Sequence, residues 1–185
     1  MTSNEFKNGM TIEFDGKLLK ILEFMHVKPG KGNTFIRTKV RDMRTGGVLE
    51  MRINAGIKIE QAILDKQEMQ YLYADGDNHI FMNTETYEQV EIPASHITDE
   101  LHFLVPNMLV NVTFYKGELL GVDLPDKVVL EITECDPAVA GDTKTNATKD
   151  AVLETGWTIK VPLFIEQGER VIVSTESGEY VSREK

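Results

Sequence analysis

Met10-Thr11-Ile12-Glu13-Phe14-Asp15-Gly16-Lys17-Leu18-Leu19-Lys20-Ile21-Leu22-Glu23-Phe24 is the stretch that sets the fold class. Apolar and polar residues alternate up to Phe14, and Asp15-Gly16 supplies the two positive-φ positions of a tight hairpin turn. The chain then returns through Lys17 to Phe24 as a second strand. Working outward, a loop over Lys28–Asn33 leads into Thr34–Arg41. Thr45-Gly46-Gly47 turns the chain into Val48–Ile53. Four or five short strands in the first 64 residues, joined by tight turns, predict a small barrel. Ile57–Leu64 fits a last strand or a helical turn equally well.

A second unit starts near Asp65. Met69–Ala74, the Asp75-Gly76-Asp77 turn and Asn78–Met82 make another hairpin, which Tyr87–Ile92 extends. Pro93-Ala94-Ser95 opens a predicted short helix, with Ile97, Leu101 and Leu104 at i, i+4 and i+7. Leu109–Tyr115, Lys116-Gly117 and Glu118–Leu124 close the unit. Five strands with a helix after the third is the layout of an OB barrel. The third unit begins near Val128. It contains Val129–Thr133, a polar stretch Gly141–Thr155 expected as a long surface loop, then Trp157–Val161, Arg170–Thr175 and Glu179–Ser182. The predicted organisation is all-β, with barrels over 1–64, 65–127 and 128–185.

Composition narrows the function. No apolar run reaches the ~18 residues of a membrane span. Met1–Phe6 lacks a basic and an apolar signal region, so a cytoplasmic location is expected. Cys135 is the single cysteine, which excludes an internal disulfide framework. His26, His79, His96 and His102 do not have the i, i+4 spacing of a helical zinc pair, so no metal is expected. No nucleophile elbow occurs, and the acidic surroundings of Cys135 disfavour a thiolate. No catalytic residue and no cofactor are predicted.

The formal charge is −10, which taken whole argues against nucleic acid. Its distribution argues otherwise. Residues 1–64 carry eleven Lys and Arg against seven Asp and Glu, whereas 65–128 carry three against twelve and 129–185 six against eleven. Lys28, Lys31, Arg37, Lys39, Arg41 and Arg44 crowd a stretch whose only acid is Asp42. Such a run suits phosphate binding, although a solvated strand face would look the same. Within it, Val27-Lys28-Pro29-Gly30-Lys31-Gly32-Asn33 is unusual. Pro29 and Gly30 favour a type II turn, with Gly30 at the positive-φ position. Gly32 removes a further side chain, leaving Lys31 as the bulk of a narrow cationic tip. This is not a Walker loop, because the earlier Gly and the following Ser or Thr are absent.

At this loop the sequence resembles bacterial elongation factor P. The likeness runs through Arg41-Asp42, Arg44-Thr45-Gly46, Gln70-Tyr71-Leu72-Tyr73, Phe81-Met82-Asn83 and Glu85-Thr86-Tyr87. It continues in Gly141-Asp142-Thr143, Thr155-Gly156, Val161-Pro162 and Gly178-Glu179-Tyr180-Val181-Ser182-Arg183. The resemblance implies an SH3-like KOW-type barrel followed by two OB-folds in an elongated L. It also implies a monomeric, non-enzymatic factor that binds the 70S ribosome between the P and E sites, beside peptidyl-tRNA and rRNA, and relieves stalling at consecutive prolines. On that basis Lys28, Pro29, Gly30, Lys31 and Gly32 would meet the tRNA CCA end. Gly141, Asp142 and Thr143 would face the E-site codon, and Tyr180 and Arg183 would contact RNA. Lys31 would be the candidate for covalent modification by a lysine-modifying enzyme; it is Lys and not the Arg of the rhamnosylated branch.

Two other readings compete. A stand-alone OB-fold single-stranded RNA binder would need basic grooves where 65–185 is acidic. An imine-forming Lys31 would need a desolvated pocket, not a glycine-flanked tip.

Overall fold

Asp15 and Gly16 adopt φ of 51° and 73°, so the first hairpin turn is the one that its residue types demand. In the computed structural model, which describes residues 1–137 and 147–185, that turn joins β1 (Thr11–Phe14) to β2 (Lys17–Val27). β3 (Phe35–Asp42), β4 (Val48–Asn54) and β5 (Glu60–Gln61) complete a sheet of order β4-β3-β2-β1-β5, antiparallel throughout. The ambiguous Ile57–Leu64 therefore supplies a two-residue strand, which pairs with Ile12 and Glu13 of β1. Ile12, Leu19, Ile21, Ile36, Val40 and Ile53 point inward and are fully or almost fully buried with Phe6 and Ile59.

β6 (Asp65–Asp75), β7 (Asn78–Asn83), β8 (Gln89–Pro93), β9 (Leu109–Tyr115) and β10 (Glu118–Asp123) form a second sheet of order β10-β9-β6-β7-β8. The predicted helix between β8 and β9 is absent. Two separate 3₁₀ turns, Ala94–His96 and Glu100–His102, stand in its place. Ile97 between them leaves helical dihedrals (φ −134°, ψ 36°). It is fully buried, and Leu104 is buried as well, so the apolar spacing serves the core without a continuous helix.

β11 (Lys127–Cys135), β12 (Thr148–Leu153), β13 (Thr158–Pro162), β14 (Arg170–Ser174) and β15 (Tyr180–Arg183) make the third sheet, of order β13-β12-β11-β14-β15. β12 corrects the expectation of a loop over Gly141–Thr155. Lys149, Ala151 and Leu153 are buried and alternate with the exposed Thr148 and Asp150. A lysine that buries its stem reads as polar in sequence yet occupies an inward position. Leu130, Ile132, Leu153, Val161, Ile165, Val171 and Val173 form this sheet's core, and Phe103 packs into it.

The chain packs as two compact units. One comprises Met1–Asp65 with Thr113–Leu120, the other Lys66–Val112 with Gly121–Lys185. Among the described residues no helix is long and apolar enough to cross a membrane.

Candidate functional site: the Lys31 loop and the cationic sheet face

β2 and β3 run together to a last pair of Val27 with Phe35, and β4 accompanies β3 to the same end, where Asn54 pairs with Phe35. Residues 28–34 span its end. Lys28, Gly30, Lys31, Gly32 and Asn33 are exposed, while Pro29 is half-buried. The positive φ falls on Gly32 (113°) and not on Gly30, so the expected type II turn does not form. Instead the loop bends back so that the Pro29 ring lies under Gly32, where an added Cβ would sit 3.8 Å from Pro29 Cγ. At Gly30 an added Cβ would meet nothing within 4 Å. The two glycines thus differ in role: Gly32 gives the chain a backbone conformation that L-residues avoid, and Gly30 keeps the flank of Lys31 bare. The Ala55 N–H donates to the Thr34 carbonyl (3.1 Å) and holds the loop's return arm.

From the loop, the strand register carries charge along one face. Ile36, Thr38 and Val40 turn inward, and Arg37, Lys39 and Arg41 turn out. Opposite them on β2 stand Met25, Glu23 and Lys20, and on β4 stand Arg52, Glu50 and Val48. Directly opposed residues share a face. Five cations and two carboxylates therefore line the outer side of β2, β3 and β4. Lys39 stands between Glu23 and Glu50, but Arg37 stands between Met25 and Arg52. Opposed like charges destabilise a sheet unless an anion joins them. The Arg52 guanidinium also lies 3.6 Å from the Phe35 ring centroid, a cation–π contact that fixes it beside the loop. Met25, 60% exposed, completes a cationic, aromatic and thioether patch next to the tip.

Arg44 does not join this face. Its guanidinium donates from Nε and Nη2 to the two Glu118 carboxylate oxygens (3.0 and 3.1 Å) and from Nη1 to the Gly16 carbonyl (3.4 Å). Asp42 accepts from the backbone N–H groups of Arg44 and Thr45 (2.8 and 3.2 Å), bonds that hold its carboxyl below the usual range. Arg52 and Lys20 lie outside the basic run that the sequence displays. The signal for Arg52 is present in the register, because counting outward from the Arg41–Val48 pair reaches Arg37 and Arg52.

The C-terminal candidates sit differently. Tyr180 is half-buried against the third core. Arg183 donates to the Phe164 carbonyl (3.1 Å), lies 3.3 Å from the Glu169 carboxylate and stacks 4.6 Å from the Phe164 ring centroid. Gly141, Asp142 and Thr143 lie outside the described residues. Among the described residues no three His, Cys, Asp or Glu side chains converge as metal ligands.

Comparison with known proteins covers the whole chain. Family models match residues 2–59 (elongation factor P KOW-like domain), 64–122 (elongation factor P OB domain) and 128–183 (elongation factor P, C-terminal). Proteins named elongation factor P from Phytoplasma australiense and from Onion yellows phytoplasma (strain OY-M) are each 51% identical over 185 residues. Each alignment covers 100% of this chain and 98% of the relative. Among solved structures, a eukaryotic translation initiation factor 5A from Methanococcus jannaschii superposes with a TM-score of 0.52 at 25% identity. The match covers 66% of this chain and 92% of that protein's. A translation initiation factor of the same kind from Naegleria fowleri, at 19% identity and a TM-score of 0.50, shares the fold. With KOW-like, OB and C-terminal segments in order and full-length relatives at 51% identity, the chain belongs to the elongation factor P family of translation factors.

Proposed function

We propose that this chain is a non-enzymatic factor that binds the ribosome between the P and E sites, beside peptidyl-tRNA, and promotes peptide-bond formation at consecutive prolines. The observation that carries the reading is the bare, exposed Lys31 loop beyond a cationic sheet face, in a chain whose formal charge is −10. A lysine on a flexible stem, with glycine on either side, can enter a crowded anionic cleft as a point charge. The Arg37, Arg52 and Phe35 cluster suits phosphate and exposed ring surfaces of RNA. Lys28, Pro29, Gly30 and Gly32 shape the loop around the CCA end.

Proline is a constrained partner in peptide transfer, so a misplaced tRNA end forfeits proximity. Fully enforced orientation is worth about 7–11 kcal/mol. Recovering ~1.4 kcal/mol of it speeds the step about tenfold. Binding that favours the productive geometry is sufficient, and the factor transfers no proton. The exposed Lys31 amine is also open to a lysine-modifying enzyme, and an extension there would lengthen the tip without disturbing the barrel. The Gly141-Asp142-Thr143 segment and the Tyr180 and Arg183 strand are proposed as further RNA contacts.

The test is translation of a Pro-Pro-Pro reporter and a proline-poor control in a system lacking the factor. The wild-type chain should raise the first yield alone. Lys31→Ala should lose most of that gain while changing stability by less than about 0.5 kcal/mol, the usual range for surface substitutions. Equal reporter yields with and without the wild-type chain would overturn the proposal. Peptide mass spectrometry of the native protein reads the modification.

A further inference from the structure

Neither the Lys31 loop nor the cationic face uses Trp157, the chain's single tryptophan. Leu153 N–H donates to the Trp157 carbonyl and Gly156 N–H to the Leu153 carbonyl (both 2.8 Å), closing a turn in which Gly156 has φ 88°. That turn presents Trp157 beside the second 3₁₀ turn. The His102 ring stacks on the indole with centroids 3.6 Å apart and planes 26° apart. Thr155 Oγ1 donates to the His102 carbonyl at 2.6 Å, which ties the His102 backbone to this turn. Trp157 nonetheless remains 39% exposed. It opens onto a cavity of about 410 Å³ in the second compact unit, lined also by Ser95, Thr98 and Leu101.

We propose that this cavity is a binding site for one unpaired nucleobase, taken up between the indole and the hydroxyl-bearing wall of Ser95 and Thr98. The proposal rests on the reading that the protein works on RNA. Three features select a base over other ligands. A rigid, already stacked indole extends a π-platform to any flat ring. Ser95 and Thr98 carry hydroxyls able to donate and accept at a base edge. No Lys or Arg is among the lining residues, so the cavity offers phosphate no fixed cation and takes the ring and not the backbone. The attraction for RNA phosphate would come from the cationic face of β2, β3 and β4, and the cavity would add selectivity for an unstacked base.

Because Trp157 is the only indole, its fluorescence reads the cavity directly. Titration of the full chain with adenosine should quench it saturably, and AMP should bind no more tightly, because no Lys or Arg lines the cavity to receive its phosphate. Trp157→Leu, followed by equilibrium dialysis with radiolabelled adenosine, should weaken binding about 5- to 150-fold, the range for a lost stacking partner. Ser95→Phe, which fills the cavity from the opposite wall and leaves Trp157 in place, should abolish the saturable quench while melting like the wild type. Lys31→Ala should bind adenosine unchanged, which separates this site from the translation assay. Non-saturating quench, tighter binding of AMP than of adenosine, or unaltered dialysis with Trp157→Leu would each overturn the proposal. Saturable quench by N-acetylphenylalaninamide and none by adenosine would also overturn it and assign the cavity to a protein side chain.

Discussion

Gly32 and Gly30 stand on either side of Lys31, and their backbones make them unequal. Gly32 sits at φ 113° with the Pro29 ring beneath it, whereas Gly30 has an ordinary φ and open space around it. A side chain at position 32 would carry a local cost on the order of 1–3 kcal/mol. An exposed loop relieves such a cost by changing shape. Gly32→Ala should therefore re-aim Lys31 and lose most of the Pro-Pro-Pro stimulation, with the barrel's melting temperature little changed. Gly30→Ala should keep more of the activity than Gly32→Ala in the same reporter assay; the reverse order would show that loop shape does not depend on Gly32. The identity of the loop residues is legible in the sequence. Which glycine carries the strained backbone is not, because both fit a turn and only the path of the return arm decides between them.

At the scale of elements, residues 113–120, the end of β9, the Lys116-Gly117 turn and the start of β10, belong to the same compact unit as the first sheet. Tyr115 buries its ring with Leu18 and Ala62, and its hydroxyl donates to Glu13 on β1 at 2.6 Å. Lys116 approaches the same carboxylate at 3.9 Å. The Tyr115 hydrogen bond is the main cause that holds the Glu13 carboxyl below its usual range. A carboxyl depressed on folding stabilises the protein above its unfolded pKa, and that contribution disappears as pH falls through the folded value. Tyr115→Phe should accordingly lower the melting temperature at neutral pH more than at a pH well below the carboxylate range, and Glu13 should titrate at a higher pH by NMR. An equal loss at both would mean that ring packing alone matters. The sequence gives no hint of this pairing, since Glu13 and Tyr115 lie 102 residues apart and each looks like an ordinary strand residue.

For the whole molecule, the segmental charge becomes a placed charge. Arg37 and Arg52 oppose each other across β3 and β4, beside the loop and away from carboxylates in register, whereas Arg44 is held by Glu118. If this face meets RNA phosphates, removing one cation that neutralises a phosphate should reduce the slope of log affinity against log salt by about 0.7–0.9. Arg37→Ala and Arg52→Ala should each do so in titrations with a tRNA acceptor-stem hairpin, and Arg44→Ala should not. The sequence by itself determined the all-β class, the Asp15-Gly16 and Lys116-Gly117 hairpins and the cationic tip, because alternation and turn chemistry are local and act before any distant contact forms. It did not reveal β12, because the stem of the buried Lys149 counts as polar in a hydropathy pattern. It also suggested a helix where buried Ile97 separates two short turns. Only the tertiary structure decided which cations share a face, which one is neutralised, and that Trp157 stacks on His102 in the lining of a cavity. Those outcomes depend on strand register and on contacts between residues remote in sequence, and no local rule encodes them.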